Sequence, residues 1–166
     1  KILLVTGRNI DKRKQAELEL QLSEERYKSL FYDNDMVILL VDPVTGSIQD
    51  ANPAASRFYG WSLEELRTMN IVQINILPDE ELKAKMSLVN EQKKNRFTFQ
   101  HRLADGQIRD VEVSSGVITF GDKKLIYSLV SDVTDKKEAE KEILRLSNYF
   151  QSIIENANDG IVLVDV

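Results

Sequence analysis

The chain has 166 residues, 42% hydrophobic and 30% charged, with a formal net charge of -5. That is the length of roughly one globular domain with a little left over, and the acidic balance argues against a nucleic-acid partner, whose footprint is basic. With no cysteine and one histidine, a disulfide, a thiolate nucleophile and a Cys- or His-rich metal site are excluded.

No apolar run approaches the length of roughly 18 residues that a bilayer-spanning helix needs, and no signal-peptide pattern opens the chain. The segment reads as cytoplasmic, without a membrane span. It starts at Lys1 and stops in mid-pattern at Val166, as a piece of a longer protein does.

Residues 11–31 read as a helix with Ala16, Leu20, Ser23, Tyr27 and Leu30 at heptad spacing. Such a face suits a coiled-coil seam or a helix docked on its own domain. Residues 36–41 form an apolar strand, the turn follows at Thr45-Gly46, and residues 47–51 pair back as a hairpin. Asn52-Pro53 starts a short helix, which Gly60 ends. Ser62 and Glu65 have capping-box spacing, with Trp61 and Leu66 placed as a hydrophobic staple. A longer helix opens at residues 77–81 with acids in its first turn. It is expected to close at Lys93-Lys94-Asn95.

The period then changes to two. Phe97, Phe99 and His101 alternate with Thr98, Gln100 and Arg102, and Asp105-Gly106 makes a hairpin turn. Val111, Val113 and Ser115 continue the pattern, and a second turn lies at Gly121-Asp122. Residues 125–130 and 37–41 are apolar on both faces, as central strands covered on both sides are. The short helices can cover one face; the linker helices or a second protomer must cover the other.

The two ends repeat. Residues 1–42 align with residues 124–165 without a gap: Asn9-Ile10 falls on Asp132-Val133, Ala16-Glu17 on Ala139-Glu140, Tyr27 on Phe150 and Val41-Asp42 on Val164-Asp165. This predicts a tandem array. Residues 1–10 are then the last strand of a preceding module and 11–31 a linker helix. Residues 24–134 are one complete domain, 135–157 an exit helix and 158–166 the start of a following module. The exit helix repeats the heptad face with Ala139, Ile143, Leu146, Phe150 and Ile153, the expected seam of a parallel homodimer.

Five stretches taken together resemble a PAS domain with its C-terminal PAC motif. They are Ser23 to Phe31, Asp50-Ala51-Asn52-Pro53-Ala54-Ala55, Tyr59 to Leu66, His101-Arg102-Leu103-Ala104-Asp105-Gly106 and Val130 to Glu140. The resemblance implies an α+β fold: a five-stranded antiparallel sheet with short helices on one face, flanked by long linker helices. It implies a sensory, signal-relaying module beside neighbouring PAS and effector domains, with a sensor histidine kinase as the first expectation and a diguanylate cyclase as the alternative. The family's Asp-Ile-Thr exit motif corresponds to Asp132, Val133 and Thr134, a joint at which Thr134 is placed to cap the exit helix.

No catalytic constellation is visible. No phosphate-binding glycine loop and no cyclase signature is present. His101 sits on a strand and is followed by Arg102, unlike a kinase phospho-acceptor. The acidic pairs Glu64-Glu65 and Glu80-Glu81 suit the dipole of a first helical turn. Lack of Cys removes covalent flavin photochemistry, while non-covalent flavin stays open. The long helix has no His for haem, which leaves only His101 or Met86. The expectation is no cofactor and no metal.

Alternation turns His101 inward with Phe97 and Phe99, facing Val111, Val113 and Ser115 and then Ile126, Ser128 and Val130. Asn52 and Trp61 complete the expected lining. Ser115 and Ser128, or a ligand in their place, are the expected hydrogen-bond partners of His101. Such a lining fits a small-ligand pocket or a filled core. The module is accordingly a ligand sensor or a ligand-free dimerisation spacer.

Overall fold

The computed structural model describes residues 2–158. Helix α1 spans Ile2–Tyr27 and runs into a π-helical turn, Lys28–Tyr32. Strands β1 (Val37–Val41) and β2 (Ile48–Ala51) form the first hairpin. Four helices follow: α2 (Pro53–Tyr59), α3 (Leu63–Thr68), α4 (Ile71–Ile74) and α5 (Asp79–Asn90). Then come β3 (Arg96–Arg102), β4 (Ile108–Phe120), β5 (Lys123–Asp132) and the exit helix α6 (Thr134–Asn158). The five strands make one antiparallel sheet in the order β2-β1-β5-β4-β3.

The local signals act as the residues dictate. Asn52 Oδ1 accepts the Ala55 N–H, Pro53 takes the first helical position, and Gly60 ends α2 at φ 84°. That left-handed conformation carries no steric cost for glycine. Ser62 and Glu65 close the capping box, and Asn70 with Gln73 forms a second one at α4.

β1 and β5 are central and apolar on both faces. Leu39, Val41, Ile126 and Val130 join the main core under α2–α5. Ile38, Leu40 and Leu125 form a second cluster on the opposite face, covered by Phe31 from the π-helical turn. The linker segment itself therefore covers part of the outer face.

Two expectations are corrected. Residues 2–10 are helical rather than a strand. A strand needs a neighbour for its backbone hydrogen bonds, and no described strand lies beside this segment, whereas a helix bonds within itself. Helix α5 ends at Asn90, before the lysines. The chain reverses at Gln92, φ 58°, and the Lys93 and Lys94 amides turn back to the Leu88 carbonyl. The expected start of a following module falls on residues 158–166, of which only 158 lies within the described residues.

Candidate functional site

Successive strand residues point to opposite faces, so β3 sends every second side chain inward. Phe97, Phe99 and His101 are buried while Thr98, Gln100 and Arg102 are exposed. The register puts Phe97 beside Val113 and Phe99 beside Val111, then Val113 beside Val130 and Ser115 beside Ser128.

A cavity of about 50 Å³ lies between this face and helices α4 and α5. Of the expected lining, Phe97, Phe99, His101, Val113, Ser115, Ile126 and Ser128 meet in its wall. Val41 adds to the sheet side; Ile71, Asn75, Leu82, Lys85, Met86 and Val89 form the helical side.

Four expected lining residues stand elsewhere. Val111 and Val130 are buried in the core beside the cavity, and Trp61 packs partly buried against that core. Asn52 is consumed by structure. Its Oδ1 accepts the Ile38 and Ala55 amides, each at 3.0 Å, and its Nδ2 donates to the Met36 and Asn34 carbonyls at 2.7 and 3.1 Å. An amide making all four bonds has nothing left for a ligand.

His101 is 2% exposed. Its Nδ1 lies 2.9 Å from the Tyr59 hydroxyl and its Nε2 lies 3.4 Å from Asn75 Nδ2. The serines are not its partners; Ser115 and Ser128 bond each other at 3.0 Å. Register explains this, because Ser115 faces Ser128 directly while His101 stands opposite Arg109, farther along β4. Burial pushes the imidazole down from 6.5 to about 4, so the ring is neutral at neutral pH. The same cause raises the Tyr59 phenol.

Sequence reading missed Tyr59 and Asn75. Tyr59 stands one helical turn after Ala55, and both are fully buried; that spacing marks one inward face. Asn75 gave no such signal. Its position follows from the bridge that pairs it with His101.

The exit joint is built from β4, β5 and α6. Asp132 Oδ1 accepts the Thr134 N–H at 2.9 Å and the Thr134 hydroxyl at 2.6 Å. Thr134 Oγ1 in turn accepts the Asp110 N–H at 3.0 Å, and the Val133 N–H donates to the Asp110 carbonyl. Thr134 is therefore the first residue of α6, and Asp132, which ends β5 as expected, also takes the capping role expected of Thr134, because the helix starts one residue earlier. Lys137 holds the Asp110 carboxyl below the usual carboxylate range.

At the entrance, Asp50 gathers the linker. Its carboxylate accepts the Tyr32 hydroxyl and Arg67 Nε, both at 2.9 Å, and the Tyr27 hydroxyl at 3.4 Å. Tyr27 stacks on Phe31 at 5.3 Å. Burial and then Asp50 push the Tyr27 phenol up to about 12. On α6 the expected seam is open to solvent: Ala139, Ile143, Leu146, Phe150 and Ile153 are all exposed.

Residues 25–131 match the family described as PAS fold. Diguanylate cyclase DgcM of Escherichia coli K12 is 32% identical over 119 residues, which is 70% of this chain and 29% of that protein. Sporulation kinase E of Bacillus subtilis is 23% identical over 158 residues, 95% of this chain and 21% of that protein. The chain thus spans less than a third of either relative. The PAS domain of an HTR-like protein from Haloarcula marismortui superposes with a TM-score of 0.64 at 19% identity, covering 72% of this chain and 98% of that one.

Proposed function

We propose, from the premise that this chain belongs to the PAS family of sensory modules, that its inner cavity receives a small-molecule signal and that the exit helix carries the response. One observation supports this most. Two of the strands that line the cavity also hold the helix: β4 carries Val113 and Ser115 in the wall and Asp110 at the joint, while β5 carries Ile126 and Ser128 in the wall and Asp132 at the joint. Ser128 and Asp132 are four residues apart on one strand, about 13 Å. A shift of either strand against α5 changes both places together.

The module itself is regulatory. Its parent enzyme is in our reading a sensor histidine kinase, because the similarity to the kinase relative runs through the linker helices to 95% of the chain. The higher identity to the cyclase relative, 32%, favours a diguanylate cyclase as the second reading. A cytoplasmic parallel homodimer, joined along Ala139, Ile143, Leu146, Phe150 and Ile153, within a tandem array, fits the heptad face. Among the described residues no helix is long and apolar enough to cross a membrane.

Native mass spectrometry of the purified chain separates sensor from spacer. A retained small molecule, lost on unfolding, supports the sensor. A bare mass that no small molecule changes supports a ligand-free dimerisation module.

A further inference from the structure

The buried chain Tyr59–His101–Asn75 holds more hydrogen-bond donors than acceptors. Asn75 Oδ1 accepts the Leu77 N–H at 2.9 Å, which fixes the amide and turns its NH₂ toward His101 Nε2. A neutral imidazole has one N–H and one bare nitrogen. With the proton on Nδ1, His101 donates to Tyr59 and accepts from Asn75. The Tyr59 hydroxyl proton then has no acceptor among the described residues, although Tyr59 is fully buried. With the proton on Nε2, Tyr59 donates to Nδ1, and the Nε2–H and the Asn75 N–H converge with no acceptor between them. Either tautomer leaves a buried donor unmatched, which native interiors avoid.

His101 and Asn75 both line the cavity. An acceptor atom placed there takes both the Nε2–H and the Asn75 N–H, and every proton in the chain is matched. The ring is neutral, and the remaining wall is mostly apolar apart from the paired serines and Lys85, whose charge is already paired with Glu81 at 3.5 Å and set over the Phe97 ring, so no unpaired cation among the described lining residues would balance a buried anion. The volume sets the scale. A cavity of about 150 Å³ accommodates benzene, so about 50 Å³ suits a much smaller group, with unbranched Met86 able to give way.

We propose that the cavity takes a small uncharged molecule bearing a carbonyl or comparable acceptor oxygen, held by His101 Nε2–H and the Asn75 amide. This rests on the sensor reading above and names the ligand class for that site. In the free protein the Asn75 NH₂ facing Nε2 requires a bare Nε2 and so puts the ring proton on Nδ1; binding moves it to Nε2.

The chain has one histidine, so the tautomer is readable by ¹⁵N NMR of the ring without assignment ambiguity. Acetone and its acceptor-free isostere isobutene serve as probes on the intact chain, with the methyl signals of Val113 and Ile126 reporting entry. The expected result is that both enter, and that only acetone converts the ring to the Nε2–H form and shifts the Asn75 side-chain amide. Entry of both with an unchanged Nδ1–H ring overturns the acceptor assignment and leaves the sensor reading standing. Entry of neither overturns the sensor reading as well. An Nε2–H ring in the free protein that neither probe alters means that a water already completes the chain, and that also overturns the assignment.

Discussion

Lys137 Nζ, in the first turn of the exit helix, lies 2.8 Å from Asp110 Oδ1 on β4. Together with the Asp132–Thr134 cap, this contact makes the start of α6 a continuation of the sheet. The first consequence concerns Asp132. Replacing it by Ala removes one cap, worth about 1 kcal/mol, while the Asp110 bonds to Val133 and Lys137 remain. Asp132→Ala is expected to change the output of the parent protein far more than it changes core melting. Output and melting lost in proportion would reduce Asp132 to a structural cap.

The seam gives the second prediction. Ile143 and Leu146 are 68% and 43% exposed in the single chain, an apolar stripe that a second copy can bury. Sedimentation of the chain is expected to give a dimer. The double change Ile143→Lys with Leu146→Lys is expected to give a folded monomer, because the stripe touches no core cluster. A monomer before mutation, or an unchanged dimer after it, contradicts the seam.

Asp50 is the third. Its carboxylate joins Tyr32 of the linker turn to Arg67 of α3, so Asp50→Ala unties the incoming helix from the core. The Arg67 side is half-open to solvent, so the stability cost is expected to be only about 1 kcal/mol. The visible effect belongs in faster amide exchange over Lys28–Tyr32. Unchanged exchange there would mean that Phe31 packing alone holds the segment.

His101 titrates across a window set by its two states. The unfolded ring has the ordinary value of 6.5 and the folded ring about 4, so the unfolded chain binds the extra proton between them. This contribution to stability is fully present above pH 6.5 and is lost as pH falls toward 4, on the order of 3 kcal/mol in all. Melting followed from pH 7 to pH 4 is expected to fall more steeply in the wild type than in His101→Phe. Parallel curves would contradict a buried neutral ring.

The sequence made some of this legible and hid the rest for physical reasons. Period-two alternation is a property of neighbouring residues, so the inward turn of Phe97, Phe99 and His101 could be read directly, as could the Asn52, Gly60 and Ser62–Glu65 stops and starts. Hydrogen-bond partners are set by tertiary register. His101 finds Tyr59 and Asn75, 42 and 26 positions away, while the serines that share its face find each other. Asn52 carries the same ambiguity: a buried Asn looks like a ligand contact until its four backbone partners are counted. The first ten residues align with residues 124–133, which cover nearly all of β5, yet from Ile2 they are helical. A sequence repeat transfers a pattern but does not supply the neighbouring strands that β5 has in β1 and β4.

The central claim is that the cavity and the exit helix share two strands and therefore move together. Amide hydrogen exchange tests it most directly, comparing the wild type with Ser128→Leu, which fills the cavity from β5. The bonds to read are Val133 N–H to the Asp110 carbonyl and Lys137 N–H to the Val133 carbonyl. The account expects exchange at both to change by about tenfold, on the order of 1.4 kcal/mol in local opening, with the α3 amides unaffected. Altered exchange confined to the cavity wall, with Val133 and Lys137 unchanged, would contradict it.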